Sequence, residues 1–215
     1  MFGNLRIGAR LGLAFGLLLV LMGAMVAVAV RQMGNLAGDT DFFVTNLDPS
    51  FEINYSGAME LSAIRRYEFR HVLAERADVK REMALKIADA SASLQQHIER
   101  YAREMAIDDT DRRNTEAMRA AVAAFMQGVT ATLPVSEQGV DHPDLRARAL
   151  AMMMGESMAQ FEAAATAADA WFAYNVELSK HQAEKADATY AAARTTLLLA
   201  TLAAVALGVF AALLI

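Results

Sequence analysis

The chain contains no cysteine. Disulfides and thiolate metal centres are therefore excluded, although either side of a membrane tolerates such a composition. Proline is almost as scarce, with only Pro49, Pro134 and Pro143, and no alternating β-branched run reaches strand length, so little competes with helix. Enzyme signatures are missing as well: no P-loop, no G-x-S-x-G, no H-E-x-x-H and no glycine-rich turn after a strand. The expectation is a protein that is not an enzyme and carries no cofactor.

Charge is absent from two stretches. Leu11 to Val30, LGLAFGLLLVLMGAMVAVAV, holds twenty uncharged residues between Arg10 and Arg31. As a helix it spans roughly 30 Å, the hydrocarbon thickness of a bilayer. A second uncharged run, Thr195 to Ile215, follows Arg194. The competing reading of the first run is a signal peptide cleaved after Ala27-Val28-Ala29, but signal cores span only about 7–15 residues. The second run competes with a buried core helix, against which its length and lack of charge argue.

All 25 acidic residues, and every Lys and Arg except Arg6 and Arg10, lie from Arg31 to Arg194. This middle is acidic, which argues against nucleic acid as a partner. Arg6, Arg10 and the α-amino group gather on the short N-terminal arm, which the positive-inside rule places in the cytoplasm. The expected organisation is a cytoplasmic arm (1–10), a membrane helix (11–30), a domain outside the cytoplasm (31–194) and a second membrane helix (195–215).

Helical periodicity runs through the middle. Met33, Leu36, Phe43 and Leu47 mark the first part of helix one, and Pro49 should kink it or open a bulge. The pattern resumes at Leu61 and Ile64 and reaches Leu73, with a turn near Glu75–Asp78. Helix two carries Met83, Ile87, Ala90, Leu94, Ile98, Tyr101 and Met105, an apolar stripe stepping by three or four. Asp108-Asp109-Thr110-Asp111 supplies a turn and an N-cap. Met118, Val122, Phe125, Val129 and Leu133 mark helix three, and Pro134–Pro143 reads as a loop. Helix four starts near Asp144, runs through Leu150, Met153, Phe161, Ala168 and Trp171, and continues into the second apolar run. The fold class is all-α: a membrane-anchored antiparallel four-helix bundle with two transmembrane helices.

This layout resembles the four-helix-bundle sensor of bacterial methyl-accepting chemotaxis receptors. The opening MFGNLRIGARLGLAFGLLL, the Leu47-Asp48-Pro49 region, the AIRRYEFRHVL segment from Ala63 to Leu73 and the NVELSKHQAEKADATYAAAR run carry the resemblance, which covers nearly the whole chain. It implies a homodimeric periplasmic input module in the bacterial inner membrane. There a small-molecule ligand shifts helix four and its membrane helix. It also implies a HAMP linker and a coiled-coil output reaching cytoplasmic signalling partners, which would follow Ile215, where this sequence stops. The same input attached to a sensor histidine kinase or a cyclic-dinucleotide enzyme is a rival. A membrane adaptor that binds a protein partner is another.

The densest polar cluster is Arg65, Arg66, Tyr67, Glu68, Arg70 and His71. Arg66 and Arg70 share a helix face, Arg65 and Glu68 can pair, and guanidinium forks suit carboxylate ligands. Arg65 should lie about eleven residues, or roughly 16 Å, below the outer tip of the bundle. Asp89, Val122 and the Met154–Ser157 stretch should be level with it. The candidate ligand-binding residues are therefore Arg65, Arg66, Arg70, Tyr67, His71 and Ser157, set against a solvated charged face of local ion pairs. Aspartate-type receptors present three arginines at intervals of five and four. Arg65 and Arg70 match the first interval, but Ala74 stands at the third position, so the resemblance does not carry that specificity.

Met152, Met153, Met154 and Met158 invite a copper(I) reading, but consecutive residues point around a helix, and core packing is favoured. His97 and His142 lack ligand-like partners at helical spacing. Glu177, His181 and Glu184 read as a surface ion pair rather than a metal site. Trp171, Phe172 and Tyr174 cannot all face one interior, so one or two line the core or a dimer contact.

Overall fold

The apolar stripe of helix two becomes the spine of the fold. In the computed structural model, which describes the backbone of residues 7–214 and the side chains of residues 8, 9, 11–13 and 15–210, that stripe lies on α3 (Ala77–Glu104). Met83, Ile87, Ala90, Leu94, Ile98, Tyr101 and, just past its end, Met105 are all buried. They meet Ile53, Leu61 and Ile64 of α2 (Asp48–Leu73), Met118, Val122, Phe125 and Val129 of α4 (Asp109–Gln138), and Ala164 and Trp171 of α6 (Met158–Leu214). One period-3.6 stripe per helix, facing inward, is what drives four helices to pack about a common core. Among the described residues there is no strand.

Local signals set the ends. Asp108 caps α4: its Oδ1 accepts from the backbone N–H of Thr110 at 2.8 Å and of Asp111 at 2.9 Å. Pro143 opens the short α5 (Pro143–Met152), where a missing N–H costs nothing. At the α4–α5 turn, Gly139 is required by close approach. A Cβ there would lie 2.8 Å from the Arg146 backbone nitrogen.

Two wider π-turns interrupt the long helices. Phe43–Leu47 separates α1 (Ile7–Phe42) from α2, just before Pro49, whose ring would crowd the preceding turn of a regular helix. The expected bulge is there. Met153–Ser157 separates α5 from α6 and had no proline to announce it.

Three expectations are corrected. The loop expected over Pro134–Pro143 is shorter, because α4 runs through Pro134 to Gln138. Pro134 and Thr130 are both exposed, so the Thr130 carbonyl that loses its donor can turn to water. Leu73 and Leu150 are exposed rather than buried, and Val72, Ala149 and Met153 form the small apolar cluster at their level. Met33 and Leu36 are exposed as well.

Residues 44–179 form one compact unit; residues 1–43 and 180–215 form the other. In the second unit, Leu11, Leu13, Phe15, Leu19 and Val20 of α1 and Leu198, Leu199, Leu202 and Phe210 of α6 are exposed. Two helices are long and apolar enough to cross a membrane, with mean hydropathies of 2.7 and 1.8 over their most apolar stretches. Apolar surface of this extent without charge is favourable against lipid rather than water. Near its charged end, Lys185 Nζ lies 2.9 Å from Asp39 Oδ1. The arm residues up to Arg6, and Ile215, lie outside the described residues.

Candidate functional site

Arg65 points inward. It is 5% exposed and stands beside Glu68, which is fully buried one turn later on α2. Its Nη1 donates to Glu68 Oε2 at 2.5 Å, and its Nη2 donates to the Met153 carbonyl at 3.1 Å. Ser157 completes the link: its hydroxyl donates to Glu68 Oε1 at 2.6 Å and lies 3.4 Å from Arg65 Nη1. The guanidinium also sits 4.4 Å over the Phe69 ring. This is a buried, neutralised ion pair, not a solvated face. The π-turn contributes both the Met153 carbonyl and Ser157, so the pair ties α2 to the irregular turn at the head of α6.

The other expected ligand residues separate. Arg66 and Arg70 are exposed, and Tyr67 is half-buried beside the core. Tyr55 and Met59 are exposed on the same α2. At 100° per residue, positions 55, 59, 66 and 70 fall within one narrow face. Of the six expected residues, the structure brings together Arg65 and Ser157. Asp89 and Tyr67 line a shallow surface pocket with Glu60 and Lys86.

His71 belongs to a different cluster near the α2–α3 turn. Its Nδ1 lies 3.1 Å from Ser136 Oγ, and the buried Lys80 donates to the His71 carbonyl and to Ser136 Oγ, each at 2.7 Å. Lys80 thereby caps the C-terminus of α2. Burial, and then the Lys80 charge, lower the His71 pKa from 6.5 to about 4. Glu137, 3.9 Å from Nε2, is the nearest acid. Because the unfolded chain takes up the proton first, stability is full above pH 6.5 and falls as the pH drops toward 4. We expect about 2 kcal/mol to be lost between pH 7.5 and pH 5 from this residue. Melting curves of the full chain should show it, and His71→Asn should lose that part of the pH dependence.

At the opposite end of the same unit, Tyr101 donates to Asp111 Oδ1 at 2.8 Å and accepts from Asn175 Nδ2 at 2.8 Å. Asn175 Nδ2 also lies 2.9 Å from Asn54 Oδ1. One buried network therefore joins α2, α3, α4 and α6, and burial raises the Asp111 pKa. Of the aromatic trio, Trp171 is buried, Phe172 packs edge-on against Phe51, and Tyr174 donates to Asp108 Oδ2 at 2.9 Å. Met153 is core while Met154 is exposed, so the methionine run does not converge. No group of three His, Asp or Glu among the described residues is placed to hold a metal ion.

A cleft of about 250 Å³ lies between α4 and the π-turn, lined by Gly128, Ala131 and Thr132 on one side and Met152, Glu156, Ser157 and Gln160 on the other. The sequence offered no pattern for it, since its polar groups come from two helices.

Two apolar helices thus accompany a four-helix unit with buried polar links between its helices. Residues 4–190 match the family described as a four-helix bundle sensory module for signal transduction. The chain belongs to this family. A search of curated proteins found no match, and neither did a search of solved structures. The sensory module of chemotaxis receptors is a signalling domain rather than a known enzyme domain. As such a module with two helices able to cross a bilayer, the chain is a membrane protein that takes part in signal transduction.

Proposed function

We propose that the chain is the periplasmic ligand-sensing input of a homodimeric chemoreceptor in a bacterial inner membrane, acting without catalysis. The observation that carries this reading is α6. It is a single 57-residue helix beginning beside Ser157, where Arg65 and Glu68 hold the π-turn, and ending in the apolar run. Anything that repositions this link biases one continuous helix, and a ligand shifts such an equilibrium by its differential affinity for the two positions.

The exposed α2 face supports a dimer seam with a carboxylate ligand beside it. Tyr55 and Met59 supply apolar area, and Arg66 and Arg70 on the same face supply guanidinium forks. Arg65 plays a different part here, holding the π-turn rather than the ligand. Thermal-shift screening of the full chain in nanodiscs against organic acids and amino acids tests the ligand class. A stabilising acid should lose its effect in Arg66→Ala and Arg70→Ala. An acid whose shift survives both substitutions, or a panel without any shift, would contradict the carboxylate assignment.

A further inference from the structure

The buried network at Tyr101 asks more of one hydroxyl than it can give. A phenol carries a single proton to donate. Tyr101 Oη lies 2.8 Å from Asp111 Oδ1 and 3.1 Å from Asn175 Oδ1, two acceptors in competition for it. The Asn175 amide cannot end the competition by turning over. Its Nδ2 faces the Trp171 carbonyl at 3.2 Å, which would repel an oxygen placed there. Tyr101, Asp111 and Asn175 are each 1% exposed or less, so bulk water offers no substitute donor.

A proton on Asp111 removes the conflict. Asp111 Oδ2 accepts from the Ile107 backbone N–H at 3.2 Å, so the acid proton belongs on Oδ1, facing Tyr101. Asp111 then donates to Tyr101, Tyr101 donates to Asn175 Oδ1, and Asn175 Nδ2 keeps Asn54 Oδ1 at 2.9 Å. Each donor in the chain is matched to an acceptor, from α4 through α3 to α6 and α2. With the carboxylate ionised, the Tyr101 proton turns to Asp111 and Asn175 Oδ1 goes without it. The titratable and charged groups facing Asp111 are Tyr101 of α3, Tyr174 of α6, and Asp108 and Arg112 at the start of α4; Asn54 of α2 is uncharged. Burial, joined by the Asp108 charge, holds the Asp111 carboxyl above the ordinary range, against the Tyr101 and Ile107 bonds and the Arg112 charge.

We infer that Asp111 is a proton-binding site whose occupancy sets how firmly α6 is held by its neighbours in the bundle. The inference rests on the sensory reading only for its consequence, since α6 continues into the apolar run. Uptake of the proton adds the Tyr101–Asn175 bond, and release removes it. The folded chain takes up this proton at a higher pH than the unfolded chain, so acidification through that range favours the held state.

The test is amide hydrogen exchange of the full chain in nanodiscs, read around Asn175 and compared with Asp111→Asn at each pH. The substituted amide is a permanent counterpart of the protonated acid, donating through its nitrogen to Tyr101 and accepting through its oxygen from Ile107. A ratio taken at one pH cancels the intrinsic exchange rate and the His71 titration, which both chains share. At about pH 8 the Asp111→Asn chain should exchange about fivefold or more slowly in this segment. The ratio should fall toward unity as the pH approaches about 4.5. Tyr101→Phe, introduced into both chains, removes the relaying hydroxyl and should abolish the pH dependence. No difference at the upper pH, a ratio constant with pH, or a pH dependence that survives Tyr101→Phe would overturn the assignment. So would failure of Asp111→Asn to fold, because the amide reproduces the bonds of the protonated state. None of these results bears on a carboxylate ligand or on the membrane topology that the sensory reading requires, so the two fail separately.

Discussion

Replacing Arg65 by methionine is expected to lower the stability of the chain by about 3–5 kcal/mol, the usual cost of stranding one partner of a buried ion pair. Glu68 is fully buried, and its carboxylate would keep only the Ser157 hydroxyl at 2.6 Å. The Met153 carbonyl would lose its side-chain donor at the same time. Glu68→Met alone should cost a similar amount, since it leaves the guanidinium among Phe69, Phe161 and Met158. The double substitution of both residues by methionine should recover most of the loss, because apolar groups of similar volume replace a buried pair at little net cost. Denaturant unfolding of the four chains in detergent measures the cycle. Additive losses would show that the two side chains do not act as a pair.

Trp171→Ala should cost about 3–5 kcal/mol by transfer and cavity terms together. The indole is 1% exposed and meets the Tyr101 ring edge-on at a centroid distance of 4.6 Å. Its other side faces Gly57, where an added Cβ would lie 3.7 Å from the indole and 3.5 Å from Leu94. Removing it therefore empties space beside the Gly57 backbone and the buried Tyr101 ring. Trp171→Phe should be milder, since Nε1 has no partner to lose and only volume is removed. The midpoints of the two variants against the parent give the comparison. A Trp171→Ala loss under 1 kcal/mol would mean that the indole is not a core member.

The fold was legible where a residue's role follows from its own helix. The α3 stripe reads directly from its three- and four-residue steps, and all seven of its members are buried. Pro49 and Asp108 act through local backbone chemistry, so the bulge and the cap could be placed. Counting down from the tip also set Ser157 level with Arg65, where the two side chains meet.

The site was less legible, because its residues answer to other helices. Glu68 lies four residues after Ile64 and four before Val72, in the inward row of α2, so its burial was implied by period. Read as a local surface pair, it hid the inward turn of Arg65. Proximity in sequence groups His71 with the arginines, but its partners Lys80 and Ser136 come from α3 and α4. The π-turn at Met153–Ser157 has no proline beside it, and Gly155 within it is a weaker mark that a helix can also absorb. The cleft it borders arises only when Gly128 and Gln160 are brought face to face.

The most direct test of the sensory account is which side of the membrane residues 44–179 occupy. The absence of cysteine makes each introduced thiol unique. Gln95→Cys, on the exposed side of α3, and Asn4→Cys, in the N-terminal arm, can be probed in intact spheroplasts with a membrane-impermeant maleimide. The account predicts that Gln95→Cys is labelled without permeabilisation and that Asn4→Cys is labelled only after it. The opposite pattern would put the four-helix unit in the cytoplasm and contradict an input that reads the periplasm.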